Sequence, residues 1–120
     1  MTLPGHIGLE VGARSCRLAL QGEVDATSTA EMRDALDQLA AAPPRAVTVD
    51  LAQTTYFDAN GARFLLAVHD LVATSGGHVT VVGAEDPIRQ VLAFTRLDRV
   101  LDIRDTVTTP TPVGAGGSVR

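Results

Sequence analysis

Lysine is wholly absent from this chain, and all ten basic residues are arginines. That absence excludes Walker-type nucleotide binding, Schiff-base chemistry and the lysine-assisted phospho-aspartate site of receiver domains. We read it as a coding bias towards arginine, with no function of its own. Cysteine is nearly absent: Cys16 stands alone, so an intramolecular disulfide is impossible and burial as a small hydrophobe is the default. Aromatic residues make up 3%, and Tyr56, Phe57, Phe64 and Phe94 are all there are. Val, Leu, Ile and Ala must therefore fill the core. Residues 1–20 lack a basic start followed by a continuous apolar segment, and no later run approaches the length of a membrane span. The expectation is a soluble cytoplasmic protein that is neither exported nor inserted in a membrane.

The 120 residues suit one domain, long enough to bury roughly two-thirds of the surface its unfolded chain exposes. Hydrophobic residues at 45% and charged residues at 20% are a globular composition. A net charge of -4 with scattered arginines argues against direct nucleic-acid binding, which needs clustered cations to release counterions.

Along the chain, Ile7-Gly8-Leu9-Glu10-Val11 and Cys16-Arg17-Leu18-Ala19-Leu20 alternate as two strands joined by a turn at Gly12-Ala13-Arg14, which predicts a hairpin. Ser28-Thr29-Ala30-Glu31 has capping-box spacing at a helix start, and Met32, Leu36 and Leu39 mark that helix's apolar face. Pro43 and Pro44 end it. A strand follows at 45–51, then a helix from Gly61 to Thr74 with Ala62, Leu65, Val68 and Val72 on one stripe, closed by Ser75-Gly76-Gly77. Val79-Thr80-Val81-Val82 is a further strand. Asp86-Pro87 reads as an N-cap and first helical residue, with Ile88, Val91 and Leu92 facing inward. Val100-Leu101-Asp102-Ile103 is a last short strand, and Thr106 to Arg120, rich in Thr, Pro and Gly, reads as a disordered tail. The predicted order is ββαβαβαβ, an α/β fold with helices packed on a mixed sheet. Residues 1–105 form the domain and 106–120 the tail.

Thr54 to Ala62 then reads as a polar turn between a buried strand and a helix start, a place where small domains put recognition or chemistry. Asp58 either contacts a partner or caps the helix, Asn60 offers hydrogen bonds to an interface or to the turn itself, and Gly61 tolerates unusual dihedrals. Asp25 caps the first helix or shares the surface of the 58–61 turn. An enzyme would need more than Asp50 and Asp58, since no nucleophile, cofactor loop or third metal ligand accompanies them. His6, His69 and His78 lack the spacing of helical zinc ligands. Val82-Gly83-Ala84-Glu85-Asp86 is not a dinucleotide fingerprint. The expectation is a protein without catalytic residues, metal or cofactor.

Leu18-Ala19-Leu20-Gln21-Gly22-Glu23-Val24-Asp25, Val47-Thr48-Val49-Asp50-Leu51, Asp58-Ala59-Asn60-Gly61 and Gly76-Gly77-His78-Val79-Thr80-Val81-Val82, in this element order, resemble the sulfate-transporter and anti-sigma-antagonist (STAS) family over about residues 5–105. The resemblance implies a STAS-like fold and a regulatory role. An anti-sigma factor antagonist binds an anti-sigma factor, often a GHKL-type serine/threonine kinase, and so frees a sigma factor until phosphorylation reverses the capture. It also implies a partner-facing surface at Asp25, Asp58, Ala59, Asn60 and Gly61. The family's acceptor is the Ser or Thr directly after the aspartate matching Asp58. Here that residue is Ala59, which cannot be phosphorylated. Thr54 and Thr55 are the nearest threonine hydroxyls in the sequence. Two readings result: an antagonist without the usual phospho-switch, or a non-phosphorylatable STAS adaptor in a stress-sensing or lipid-transport complex.

Overall fold

The computed structural model describes residues 6–12 and 14–104. The expected tail and Ala13 of the first turn lie outside them. Alternating apolar residues form the first two strands, β1 at His6–Val11 and β2 at Ser15–Val24. They pair antiparallel, with Val11 opposite Cys16 and His6 opposite Gln21, the hairpin its turn residues imply. Side chains alternate across a strand, so Cys16, Leu18 and Leu20 are buried while Arg17 between them is exposed.

β2 runs past its expected end at Leu20 because it changes partner. From Ser15 to Ala19 it pairs in parallel with β3, Ala46–Asp50, and from Gly22 it pairs in parallel with β4, Thr54–Phe57. The register shifts between Gly22 and Glu23, which face Thr54 and Tyr56, so Thr55 is an extra residue on β4. At the shift Gly22 has φ 77°, where glycine meets no Cβ penalty.

β4 is an addition to the expected order, which becomes ββαββαβαβ. The first part of the supposed turn is therefore sheet. Thr54-Thr55-Tyr56-Phe57 is β-branched or aromatic at every position, which suits a pleated surface. Its two ends are buried and its two middle residues exposed, so it shows no alternation to read.

The sheet has six strands in the order β1-β2-β3-β5-β6, with β4 beside β2. β5 is His78–Val82 and β6 is Asp102–Ile103. β6 is shorter than the expected 100–103 strand because Leu97–Arg99 makes a 3-10 turn, whose Leu97 carbonyl accepts from the Val100 amide at 3.0 Å. All pairings except β1 with β2 are parallel.

Three helices cover the sheet: α1 at Thr29–Ala41, α2 at Ala59–Thr74 and α3 at Asp86–Phe94. α3 takes Glu85 as its N-cap, so Asp86 lies inside its first turn. Met32, Ala35 and Leu39 of α1, Ala62, Leu65, Val68 and Val72 of α2, and Ile88 and Leu92 of α3 meet Leu18, Val47, Val49, Val79 and Val81 in one core. Leu36 and Val91, expected on the inner faces, pack at its margin. Burying an aliphatic side chain of this size contributes about 1.5–3 kcal/mol. Among the described residues no helix is long and apolar enough to cross a membrane.

Candidate functional site

The surface is built from two neighbouring strand ends. Val24 of β2 lies beside Phe57 of β4 in a parallel register, so the next residue of each strand, Asp25 and Asp58, leaves the sheet on the same side. Each carboxylate then caps the element that comes after its strand. Asp25 Oδ1 accepts from the Thr27 amide at 2.9 Å and from the Thr27 hydroxyl at 2.6 Å, opening the 3-10 turn Ala26–Ser28. Asp58 Oδ1 accepts from the Asn60 amide at 2.9 Å and from Asn60 Nδ2 at 3.3 Å, opening α2. Such caps satisfy backbone donors that the first turn would leave unpaired.

The capping box falls three residues earlier than its spacing predicts. Ser28 makes no side-chain cap to α1. Its hydroxyl instead accepts from the Asp25 amide at 3.3 Å and donates to the Glu23 carbonyl at 3.0 Å, closing a box between Asp25 and Ser28. That bond ties the end of β2 to the turn after it.

Asp25 and Asp58, with Glu23, Ala26, Thr27 and Tyr56, line an open depression of about 400 Å³. It is acidic, with Tyr56 50% exposed within it. The hydroxyl of Thr27 first, and its amide second, hold the Asp25 carboxyl below the ordinary aspartate range against a smaller opposing effect of burial. Ala59 is exposed at the first position of α2. Asn60 is half-buried and reaches a second hollow of about 290 Å³ between α1 and α2, whose lining includes Met32, Leu36 and Phe64 with Arg33 and Arg63.

Gly61 has a different position from its neighbours. It is buried, and a Cβ there would fall 2.5 Å from the Phe57 ring. Its missing side chain lets α2 start directly over β4. Glu23, Thr27 and Tyr56 were not among the expected site residues. The signal for them is the register of β4 against β2, which no local pattern carries.

The other candidate chemistry is engaged in the fold. Asp50 is buried, pairs with the Arg17 guanidinium and accepts from the Ala52 amide at 2.8 Å. Its carboxylate thus serves the sheet, apart from the depression that Asp58 lines. Thr54 is buried and donates its hydroxyl to the Leu20 carbonyl at 2.7 Å, while Thr55 is exposed. Cys16 is buried, which pushes its thiol pKa up. His69 is half-buried on α2 and His78 is exposed on β5. Among the described residues no three His, Cys, Asp or Glu side chains gather as a metal site.

The family model described as "Mlab, STAS domain" matches residues 7–104. No curated protein matches the sequence. Among solved structures, an anti-sigma factor antagonist from Mycobacterium paratuberculosis is similar with a TM-score of 0.74 at 22% identity, over 89% of this chain and 92% of the other. A putative anti-sigma factor antagonist from Thermotoga maritima is similar with a TM-score of 0.75 at 18% identity, over 84% and 87%. The phosphorylated form of the Bacillus cell fate determinant SpoIIAA is similar with a TM-score of 0.66 at 16% identity, over 83% and 92%. Identities this low establish a shared fold, and the family model extends from β1 to the residue after β6. The chain is a member of the STAS domain family.

Proposed function

We propose that this protein is a regulatory binding protein of the anti-sigma factor antagonist type. The surface at Asp25, Asp58, Ala59, Asn60 and Gly61 captures an anti-sigma factor, a serine/threonine kinase of the GHKL type, and so frees a sigma factor. It does this without a phosphorylation switch at position 59 and without catalysing a reaction. The partner meets Asp25, Asp58, Ala59 and Asn60 directly, while Gly61 sets the approach of α2 to β4.

Ala59 is the observation that carries this reading. It is exposed at the first residue of α2, directly after the capping Asp58, where the family resemblance puts the acceptor hydroxyl. A phosphate there would bring about -1.5 to -2 charges to a surface that already holds Glu23, Asp25 and Asp58. A methyl brings none, so the surface keeps the charge of an unphosphorylated state.

Affinity capture with the tagged protein from its native cells tests the reading. The expected outcome is recovery of an anti-sigma factor, with binding weakened by Ala59→Glu, whose carboxylate stands where the family resemblance puts the phosphate that reverses capture. Incubation of the protein with the captured kinase and ATP should leave Thr54 and Thr55, the threonine hydroxyls beside the 58–61 turn, unmodified. Stoichiometric phosphorylation at either would remove the unswitched reading. Recovery of transport or stress-sensing subunits in place of an anti-sigma factor would make the protein an adaptor instead.

A further inference from the structure

Among the described residues the two ends of the sheet are unequal. β6 closes one edge with two residues, whereas β1 leaves six, His6–Val11, along the other. Natural sheets blunt such edges with proline, lysine, bulges or inward charge. β1 has none of these: it lacks proline and lysine, pairs with β2 in unbroken register, and carries its one acidic residue, Glu10, on the face opposite the core.

The backbone groups that face outward are set by the hairpin. The Gly12 amide donates to the Ser15 carbonyl at 2.7 Å, one step beyond the Val11–Cys16 pair. In an antiparallel ladder, hydrogen-bonded and non-hydrogen-bonded pairs alternate. Glu10 and Gly8 therefore direct their amides and carbonyls to β2, and Val11, Leu9 and Ile7 direct theirs away from it. The same three residues lie on the core side of the sheet, opposite Cys16, Leu18 and Leu20. Ile7 and Leu9 are only partly buried, and Val11 is 68% exposed.

We propose that β1 is a self-pairing edge, which joins a second copy of this chain antiparallel through a two-fold axis at Leu9. In that register Leu9 faces Leu9 of the other copy and Ile7 faces Val11. Every outward backbone group of the described strand is then paired, and the exposed Val11 side chain gains an apolar neighbour. A two-fold at Gly8 pairs only Ile7 with Leu9 among the described residues and leaves Val11 uncovered. Glu10 faces Gly8 in the Leu9 register, so no like charges oppose each other. A six-residue edge falls short of the about 1,200–2,000 Å² of a stable interface, so the dimer is reversible.

Sedimentation equilibrium of the full chain over a range of concentrations should show a monomer–dimer equilibrium. Val11→Pro removes an outward amide without touching the β1–β2 ladder, a position where edge strands accept proline. It should raise the dimer dissociation constant at least about tenfold, because two copies each lose a hydrogen bond worth about 1 kcal/mol, while the far-ultraviolet circular dichroism stays unchanged. Should that variant fail to fold, a disulfide test decides. Gly8 and Glu10 of the other copy form a non-hydrogen-bonded pair with Cα atoms about 4.5 Å apart, within disulfide reach, and a Cβ at Gly8 meets nothing within 4 Å. A mixture of Gly8→Cys and Glu10→Cys proteins under mild oxidation should give a covalent dimer far in excess of either variant alone. A strictly monomeric chain, a dimer unaffected by folded Val11→Pro, or preferential self-linking of Gly8→Cys would each overturn the proposal.

Discussion

Asp58 holds a helix start and stands on the proposed recognition surface, and substitution by alanine removes both contributions together. Asparagine separates them, because it caps as well as aspartate but carries no charge. Asp58→Ala should lower stability by about 1 kcal/mol, read from denaturant melts, whereas Asp58→Asn should stay within a few tenths. If the Asp58→Asn protein also binds the partner normally, the charge is irrelevant to recognition and only the cap matters. Asp25 offers a titration instead. Its carboxyl is held below the ordinary value, first by the Thr27 hydroxyl and then by the Thr27 amide. A carboxyl depressed in the folded state stabilises the fold above its unfolded pKa, and that contribution disappears as pH falls through the folded value. Thr27→Val removes the larger cause and keeps the amide. Carbon-13 NMR of the Asp25 carboxyl should therefore show its midpoint rising towards the ordinary aspartate range in that variant.

At the level of elements, β4 decides where the site lies. Its attachment to β2 includes the buried bond from the Thr54 hydroxyl to the Leu20 carbonyl at 2.7 Å. Thr54→Val keeps the shape of the side chain and removes the donor, at a cost of about 1 kcal/mol. Hydrogen exchange should accelerate at residues 54–57 and stay slow in β3. Exchange that rises equally in both strands would mean that β4 opens only with the whole sheet. The end of β2 also shows how a local signal can be satisfied twice. Asp25 with Ser28, and Ser28 with Glu31, both have capping-box spacing. The Glu23 carbonyl receives the Ser28 hydroxyl, and that contact selects the first pair.

Across the whole molecule, what could be read from the sequence depended on how far each pattern extends. The stripe of Ala62, Leu65, Val68 and Val72 covers nearly three turns of α2, and all four residues are buried. Val47 and Val49 of β3 are likewise inside, as their alternation implies. β4 is four residues with no alternation, and its partner is Gly22–Val24, about thirty positions away in the chain. No local window contains that pairing. Asp25 and Asp58 could thus be put on one surface from the element order and the resemblance, while Glu23 and Tyr56 between them had to come from the pairing of β4 with β2. The change of partner along β2, from β3 to β4 at Gly22, has a consequence for binding kinetics. Because one continuous strand serves both the central ladder and the floor of the depression, the two carboxylates are mounted on framework and need no loop to close around a partner. Recognition by such a rigid face spends little conformational entropy and leaves its backbone nearly unmoved in the complex. Substitutions there should then alter residence time far more than encounter rate.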